Sequence, residues 1–228
     1  FGIEQFHFPE MDLSSFEPKP VPEQIRLGHK MEHVCKQLIE FQSDYQILLR
    51  NLPIRDGKRT IGEIDFILRD VHFQKMIHVE LTYKFYIINP DISEPIHRLM
   101  GPNKRDMFFT KMEKIKSEQF QLLHSPQGVR ALEEVGIYHT EIKHQACFKA
   151  QLFKPYGANS FHIRPLNSDC ASGFWLRFDD FNKPEFAKGQ YYMPTKSEWV
   201  IEPNNQVLWK SHAEIMVNIE SELLKENA

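Results

Sequence analysis

The sequence predicts an α/β (α+β) protein, a sheet flanked by helices, and three observations carry that prediction. Residues 59–88 alternate apolar and polar side chains on either side of a short turn at 70–74, as two paired strands do. Residues 22–42 and the segment beyond Asp106 instead repeat their apolar residues at helical spacing. A further alternating run, 142–153, follows the second helical segment, so strands and helices are interspersed along the chain.

Residues 1–21, with Pro18 and Pro20 near their end and Phe1, Phe6, Phe8 and Phe16 scattered before, read as an extended arm that packs by its rings. Pro22 suits the first turn of a helix that continues to about Gln42. Leu27, Met31, Val34, Cys35, Leu38 and Ile39 form its apolar stripe, and Arg26, His29, Lys30, His33, Lys36 and Glu40 its polar side. Gly28 is expected to permit close approach of a neighbour. Glu32 falls at the margin of the stripe, where a charge is costly. His29 and His33 have the i, i+4 spacing of a metal pair but sit on the charged side, so they are read as solvated. Residues 45–54 then form a strand, and Asp56-Gly57 turns the chain into the next one.

In that next strand Ile64, Phe66 and Leu68 take one face and Glu63, Asp65, Ile67 and Arg69 the other. Beyond the turn, Val79, Leu81, Tyr83, Phe85 and Ile87 form an apolar row opposite His78, Glu80, Thr82, Lys84 and Tyr86. Antiparallel pairing brings Asp65 and Glu80 close if they share a face. A solvated face is the ordinary fate of such charges. Ile67, Tyr86 and the flanking aromatic runs argue that both faces are covered, and a covered carboxylate pair needs a compensating charge, such as a divalent cation.

After Ile88, N-P-D-I-S-E-P breaks the sheet, and the Asp106 carboxylate is placed to cap a helix with the stripe Phe108, Met112, Ile115 and Leu122. Gln119 falls in the middle of that stripe and Lys111 along one edge. A core-facing amide needs partners, which either nearby backbone or the acidic pair supplies. Ser125-Pro126 opens a short helix closing at Gly136. In the 142–153 strand, Lys143, Gln145, Cys147, Lys149 and Gln151 form a polar face against Ala146, Phe148, Ala150 and Leu152. Residues 155–203 are irregular, with strands expected at 174–178 and 198–201, and 208–225 is an amphipathic terminal helix.

The run G-E-I-D-F at 62–66, followed by H-V-E-L-T-Y-K-F-Y at 78–86, resembles the core of the PD-(D/E)XK nucleases. G-P-N-K-R-D at 101–106 and the helix K-M-E-K-I-K-S-E-Q-F-Q-L-L beyond it resemble a bacterial domain-of-unknown-function family placed in that superfamily. The resemblance covers 28–125, with a looser match near Trp175 and P-T-K-S-E-W-V-I-E-P. It implies a restriction-endonuclease-like core with a mixed central sheet, spanning about 22–154 of a single domain, with 155–228 as a C-terminal elaboration. It implies that Asp65 and Glu80 hold magnesium or manganese with the Leu81 carbonyl, while a lysine helps water attack a phosphodiester. Glu32 and Gln119 join the expected site, the latter as a helix glutamine does in one branch of the superfamily. The pattern departs at the lysine: Thr82 stands where E-x-K would place it, and Lys84 follows roughly 7 Å further along the same face, within leaning distance.

Composition bounds these expectations. The 228 residues are 41% hydrophobic and 26% charged, and no apolar run nears the roughly 20 residues of a membrane helix, so a cytoplasmic protein with no membrane partner is expected. Cys35, Cys147 and Cys170 are too widely spaced for a zinc ribbon or a disulfide framework. A net charge of −3 lacks the broad basic field of duplex-gripping proteins, so contact with nucleic acid, DNA more than RNA, must be local or metal-assisted. There is no P-loop, dinucleotide fingerprint or nucleophile elbow. The expected activity is metal-dependent phosphodiester hydrolysis, with Lys84 assisting water attack. Its rival is a catalytically inactive nuclease-fold binding or scaffold module, which Thr82 and the modest charge favour.

Overall fold

The computed structural model describes residues 2–138, 141–164, 166–202 and 204–226; Phe1 of the expected aromatic arm lies outside them. The first unit, Phe1–Phe174, is built on a mixed seven-stranded sheet of β1 (Glu4–Gln5), β2 (Tyr45–Asp56), β3 (Arg59–Asp70), β4 (Met76–Ile88), β5 (Leu99–Met100), β6 (Ile142–Pro155) and β7 (Ala171–Trp175). The order is β1-β6-β4-β3-β2, with β5 added to β4 and β7 to β6. β2, β3 and β4 form an antiparallel meander, whereas β4 and β6 run parallel from Met76↔Ile142 to Ile87↔Phe153. A parallel pair needs a crossover, and α2 (Phe108–Lys114) with α3 (Pro126–Glu134) supplies it.

β4 is therefore covered on both sides. α1 (Leu27–Phe41) and the arm pack Ile39, Cys35, Phe6 and Phe8 against Phe66, Leu68, Ile77 and Val79. On the other side Phe108, Met112, Ile115 and Phe120 lie on Tyr86 and Ile88. A third cluster joins Ile64 and Ile67 to Leu122, Leu123 and Leu132. Ile64 thus packs with Ile67 and not with Phe66 and Leu68, a departure from strict alternation. It pairs with Leu52, next to Asn51 of β2, whose φ of 53° is left-handed; the register of the strand pair shifts on either side, between Ile47 and Leu49 and between Ile54 and Arg55.

Several local expectations are corrected. α1 begins at Leu27, because Arg26 is still extended at ψ 151°, and Pro22 lies outside it. Gly28 is exposed, with nothing within 4 Å of where a Cβ would stand. Asp106 does not cap α2, whose cap residue Met107 makes no side-chain bond; the carboxylate instead accepts from Lys84 Nζ. Cys147 is buried beneath α1 and the arm, behaving as a small hydrophobe. Ser125 does open α3, its Oγ accepting from Gly128 N at 2.9 Å, and Gly136 follows the helix at φ 79°.

The second unit, Trp175–Ala228, contains α4 (Phe178–Phe181), the short pair β8 (Gln190–Tyr191) and β9 (Lys210–Ser211), and α5 (His212–Glu226). The strand expected at 174–178 lies earlier, as β7, and ends at Trp175; α4 takes over at Phe178, its first turn carrying Asp179 and Asp180 where helical N–H groups favour acids. The strand expected at 198–201 is a 3-10 turn at Glu198–Val200, since the Glu198 carboxylate accepts from both N and Oγ1 of Thr195 and closes a local turn.

Two glycines test this packing. A Cβ on Gly128 would stand 1.8 Å from the Leu122 carbonyl oxygen, which is backbone and cannot yield. We expect Gly128→Ala to cost about 1–3 kcal/mol in urea melts, whereas Gly28→Ala, in open space on a helix, should raise stability by about 0.5–1 kcal/mol.

Candidate functional site

The site forms where β3 and β4 part. Their last registered pair is Phe66↔Val79; beyond it β4 stays with β6 and β3 with β2. The fork leaves the Leu81 N–H without a β3 carbonyl, and Asp65 Oδ2 accepts it at 2.8 Å. Leu81, expected to offer its carbonyl, is thus recorded in the site through its amide. Glu80 stands beside Asp65 on the other prong, and both carboxylates are buried.

Helices on both faces reach this fork. α2 runs on without a break into a π turn (Ile115–Gln119) and a 3-10 turn (Phe120–His124). The π turn places Gln119 so that its Nε2 donates to Glu80 Oε1 at 2.9 Å. The Gly62 of G-E-I-D-F helps, because a Cβ there would meet Leu122 Cδ1 at 2.4 Å; without one, the 3-10 turn rests directly on β3. From the opposite face α1 brings Glu32, whose Oε2 accepts from Asn51 Nδ2 at 2.5 Å. His29, expected to be solvated, places Nδ1 3.1 Å from Glu32 Oε1.

Lys84 does not lean back along β4; its ammonium is paired with Asp106. The lysine beside the acidic pair is Lys111 of α2, with Nζ 3.9 Å from Glu80 Oε1. Lys111 had a signal in the sequence, eight residues before Gln119 on the same helix, but the E-x-K pattern directs attention to the strand.

The charges are not balanced. Burial pushes Asp65 up to about 8, with the Glu80 charge adding to it and Glu32 and Glu63 adding less. Burial also raises Glu80, against the opposing effects of Gln119 and Lys111. Glu80 Oε2 and Asn51 Oδ1 are buried with no hydrogen-bond partner among the described residues. Two carboxylates, an orphaned carboxylate oxygen and a neutral amide oxygen are hard donors of the kind magnesium or manganese takes, alongside retained waters. Among the described residues no three His, Cys, Asp or Glu side chains stand together as a metal cage, so carboxylates alone do not complete a set.

A second polar cluster lies apart from these groups. His78 and His144 face each other at 3.1 Å across the β4–β6 register, and His144 meets His124 at 2.9 Å. Burial pushes His78 down to about 3 and His144 to about 4, so both rings stay neutral at neutral pH.

Comparison with known proteins places this arrangement in a family. The chain belongs to the Domain of unknown function (DUF1853) family. The match covers residues 10–227, so every residue of the fork falls within it. No curated protein and no solved structure matches the chain. No helix among the described residues of this DUF1853 chain is long and apolar enough to cross a membrane.

The raised Asp65 gives a pH signature. With its folded value near 8 and its unfolded value in the ordinary carboxylate range, the metal-free folded state holds a proton that the unfolded state has lost. Stability should therefore fall as pH rises to about 8, most cleanly above about 7.5, where the unfolded imidazoles have largely lost their protons and no longer oppose the trend. In metal-free thermal melts across that window we expect wild-type Tm to decline and Asp65→Asn to flatten the decline.

Proposed function

We propose that this DUF1853 chain has a restriction-endonuclease-like core and hydrolyses phosphodiester bonds in nucleic acid with a divalent metal. The observation that carries this reading is the buried Asp65–Glu80 pair at the strand fork, near enough for the Glu80 charge to raise Asp65 and with one Glu80 oxygen unsatisfied. A structural ion pair would have supplied a cation of its own, and Lys111 at 3.9 Å only partly does so.

Asp65 and Glu80 would hold magnesium or manganese, which when bound supplies an acidified water and offsets charge on the phosphoryl oxygens. Gln119 fixes the Glu80 carboxylate through its 2.9 Å hydrogen bond to Oε1, which would leave Oε2 for the cation. The Leu81 amide holds Asp65 Oδ2 in the same way. Lys111 takes the part expected of Lys84: an ammonium beside Glu80, drawn from the helix, that would position water and offset charge on the oxygens of the pentacoordinate phosphorus. Nucleic acid, DNA before RNA, is the substrate class of this reading, and a cytoplasmic setting fits its three free cysteines.

The rival, a nuclease-fold binding module without chemistry, draws on one observation: Lys84 is committed to Asp106 while Thr82 occupies the usual lysine place. Lysine variants separate the two. In thermal melts with manganese at about 100 times its Kd we expect a stabilisation of about 2.7 kcal/mol, absent in Asp65→Asn and Glu80→Gln. Lys111→Met should keep that shift and lose DNA cleavage by about 100-fold or more, while Lys84→Met keeps both. A wild-type protein that manganese does not stabilise sinks the metal reading, and one that binds manganese but cleaves neither DNA nor RNA is the binding module.

A further inference from the structure

Asn51 is the residue of the fork that its strand does least to explain. It lies in the middle of β2, yet its φ is 53°, a left-handed conformation that a strand does not ask for. The pairs on either side, Arg50↔Phe66 and Leu52↔Ile64, set it level with Asp65 on the neighbouring strand. Asparagine tolerates this conformation better than most residues, but strain of this kind persists where surrounding contacts hold it, and such contacts gather at functional sites.

The contact that holds it is Glu32. A carboxylate only accepts hydrogen bonds, so the amide must turn its Nδ2 toward Glu32, and it does so at 2.5 Å. That leaves Oδ1 on the other side of the amide, buried and without a partner among the described residues. Glu80 Oε2 is orphaned in the same way, on a residue that is 3% exposed. Both orphans are oxygens that lack a donor, and a cation satisfies oxygens that no N–H reaches. Since no three acidic or imidazole side chains come together among the described residues, the set that Asp65 and Glu80 begin has to be extended by neutral oxygen.

We propose that Asn51 Oδ1 is a protein ligand of the divalent cation held by Asp65 and Glu80, and that Glu32 is a positioning residue that orients the amide oxygen toward it. This rests on the metal reading above and adds to it a ligand from β2, outside both motifs that suggested the site. Glu32, on this account, acts through Asn51 and not as a ligand itself.

The test measures manganese affinity by calorimetry on the full chain, alongside metal-free melts. Asn51→Gly removes the oxygen and relieves the left-handed strain, so it should bind manganese at least ten-fold more weakly while its metal-free Tm stays level or rises. Asn51→Asp keeps an oxygen of the same reach and should bind at least as tightly as wild type, with a lower metal-free Tm because it faces Glu32. Glu32→Gln, which no longer dictates the amide's orientation, should weaken binding by less than Asn51→Gly does. Affinity in Asn51→Gly within two-fold of wild type overturns the proposal, and so does weakened binding in Asn51→Asp. A loss in Glu32→Gln larger than in Asn51→Gly makes Glu32 the ligand instead. These outcomes leave the metal reading standing, since wild type binds in each; a wild-type chain that takes up no manganese overturns both.

Discussion

The hydrogen bond from the Leu81 amide to Asp65 is the constraint from which the rest of the site follows. A strand that leaves its neighbour inside a protein exposes backbone groups that water cannot reach, and each must find a partner. By taking the Leu81 N–H, Asp65 lets β4 separate from β3 while remaining buried. β4 then depends on β6 for its backbone pairing, and that pairing is parallel. Parallel strands need a crossover over the sheet, and this one carries α2 across the row that holds Glu80. Gln119 and Lys111 reach Glu80 for that reason.

The electrostatics make the same fork a place for exchange. Asp65 and Glu80 are buried with Glu32 near enough to raise both, and Lys111 is the cation recorded beside them. With Asp65 pushed up to about 8, that carboxyl holds a proton at neutral pH in place of charge it cannot keep. A divalent cation would displace that proton and satisfy the oxygens that hydrogen bonds leave orphaned, so metal affinity and pH are linked at this site.

Much of this arrangement is legible in the sequence because it rests on periodicity. Asp65 and Glu80 stand out as charges inside alternating apolar runs, Glu32 as a charge at the margin of a helical stripe, and Gln119 as an amide in the middle of one. The structure brings each of them to the fork or to a group that touches it. What periodicity hides is competition between partners. Lys84 has the reach to approach Glu80, but Asp106 lies in the turn before α2 and takes its ammonium, while in the sequence that aspartate reads as a helix cap. Asn51 is invisible for another reason: a left-handed residue inside a strand leaves the composition of the strand unchanged. Cys147 falls on the polar row by alternation, yet it packs in the core as a small hydrophobe, and at 198–201 a local turn closed by the Glu198 carboxylate stands in place of the expected strand.

Moving the lysine from strand to helix changes what holds the site together. A lysine on β4 would be fixed to Glu80 by the strand they share, whatever the helices did. Lys111 is fixed to Glu80 only by the packing of α2 on the sheet, through Phe108, Met112 and Ile115 at one end and Leu122 at the other. Close-packed interiors transmit small displacements, so that packing has to be exact to a fraction of a side chain. At the Leu122 end the contact is with Gly62, where a Cβ would stand 2.4 Å from Leu122 Cδ1, so a larger residue there obliges the Leu122 side chain to repack. The glycine of the acidic motif therefore bears on a different element: by having no side chain, it leaves room for Leu122 of the segment that carries Gln119 and Lys111 to pack directly on β3.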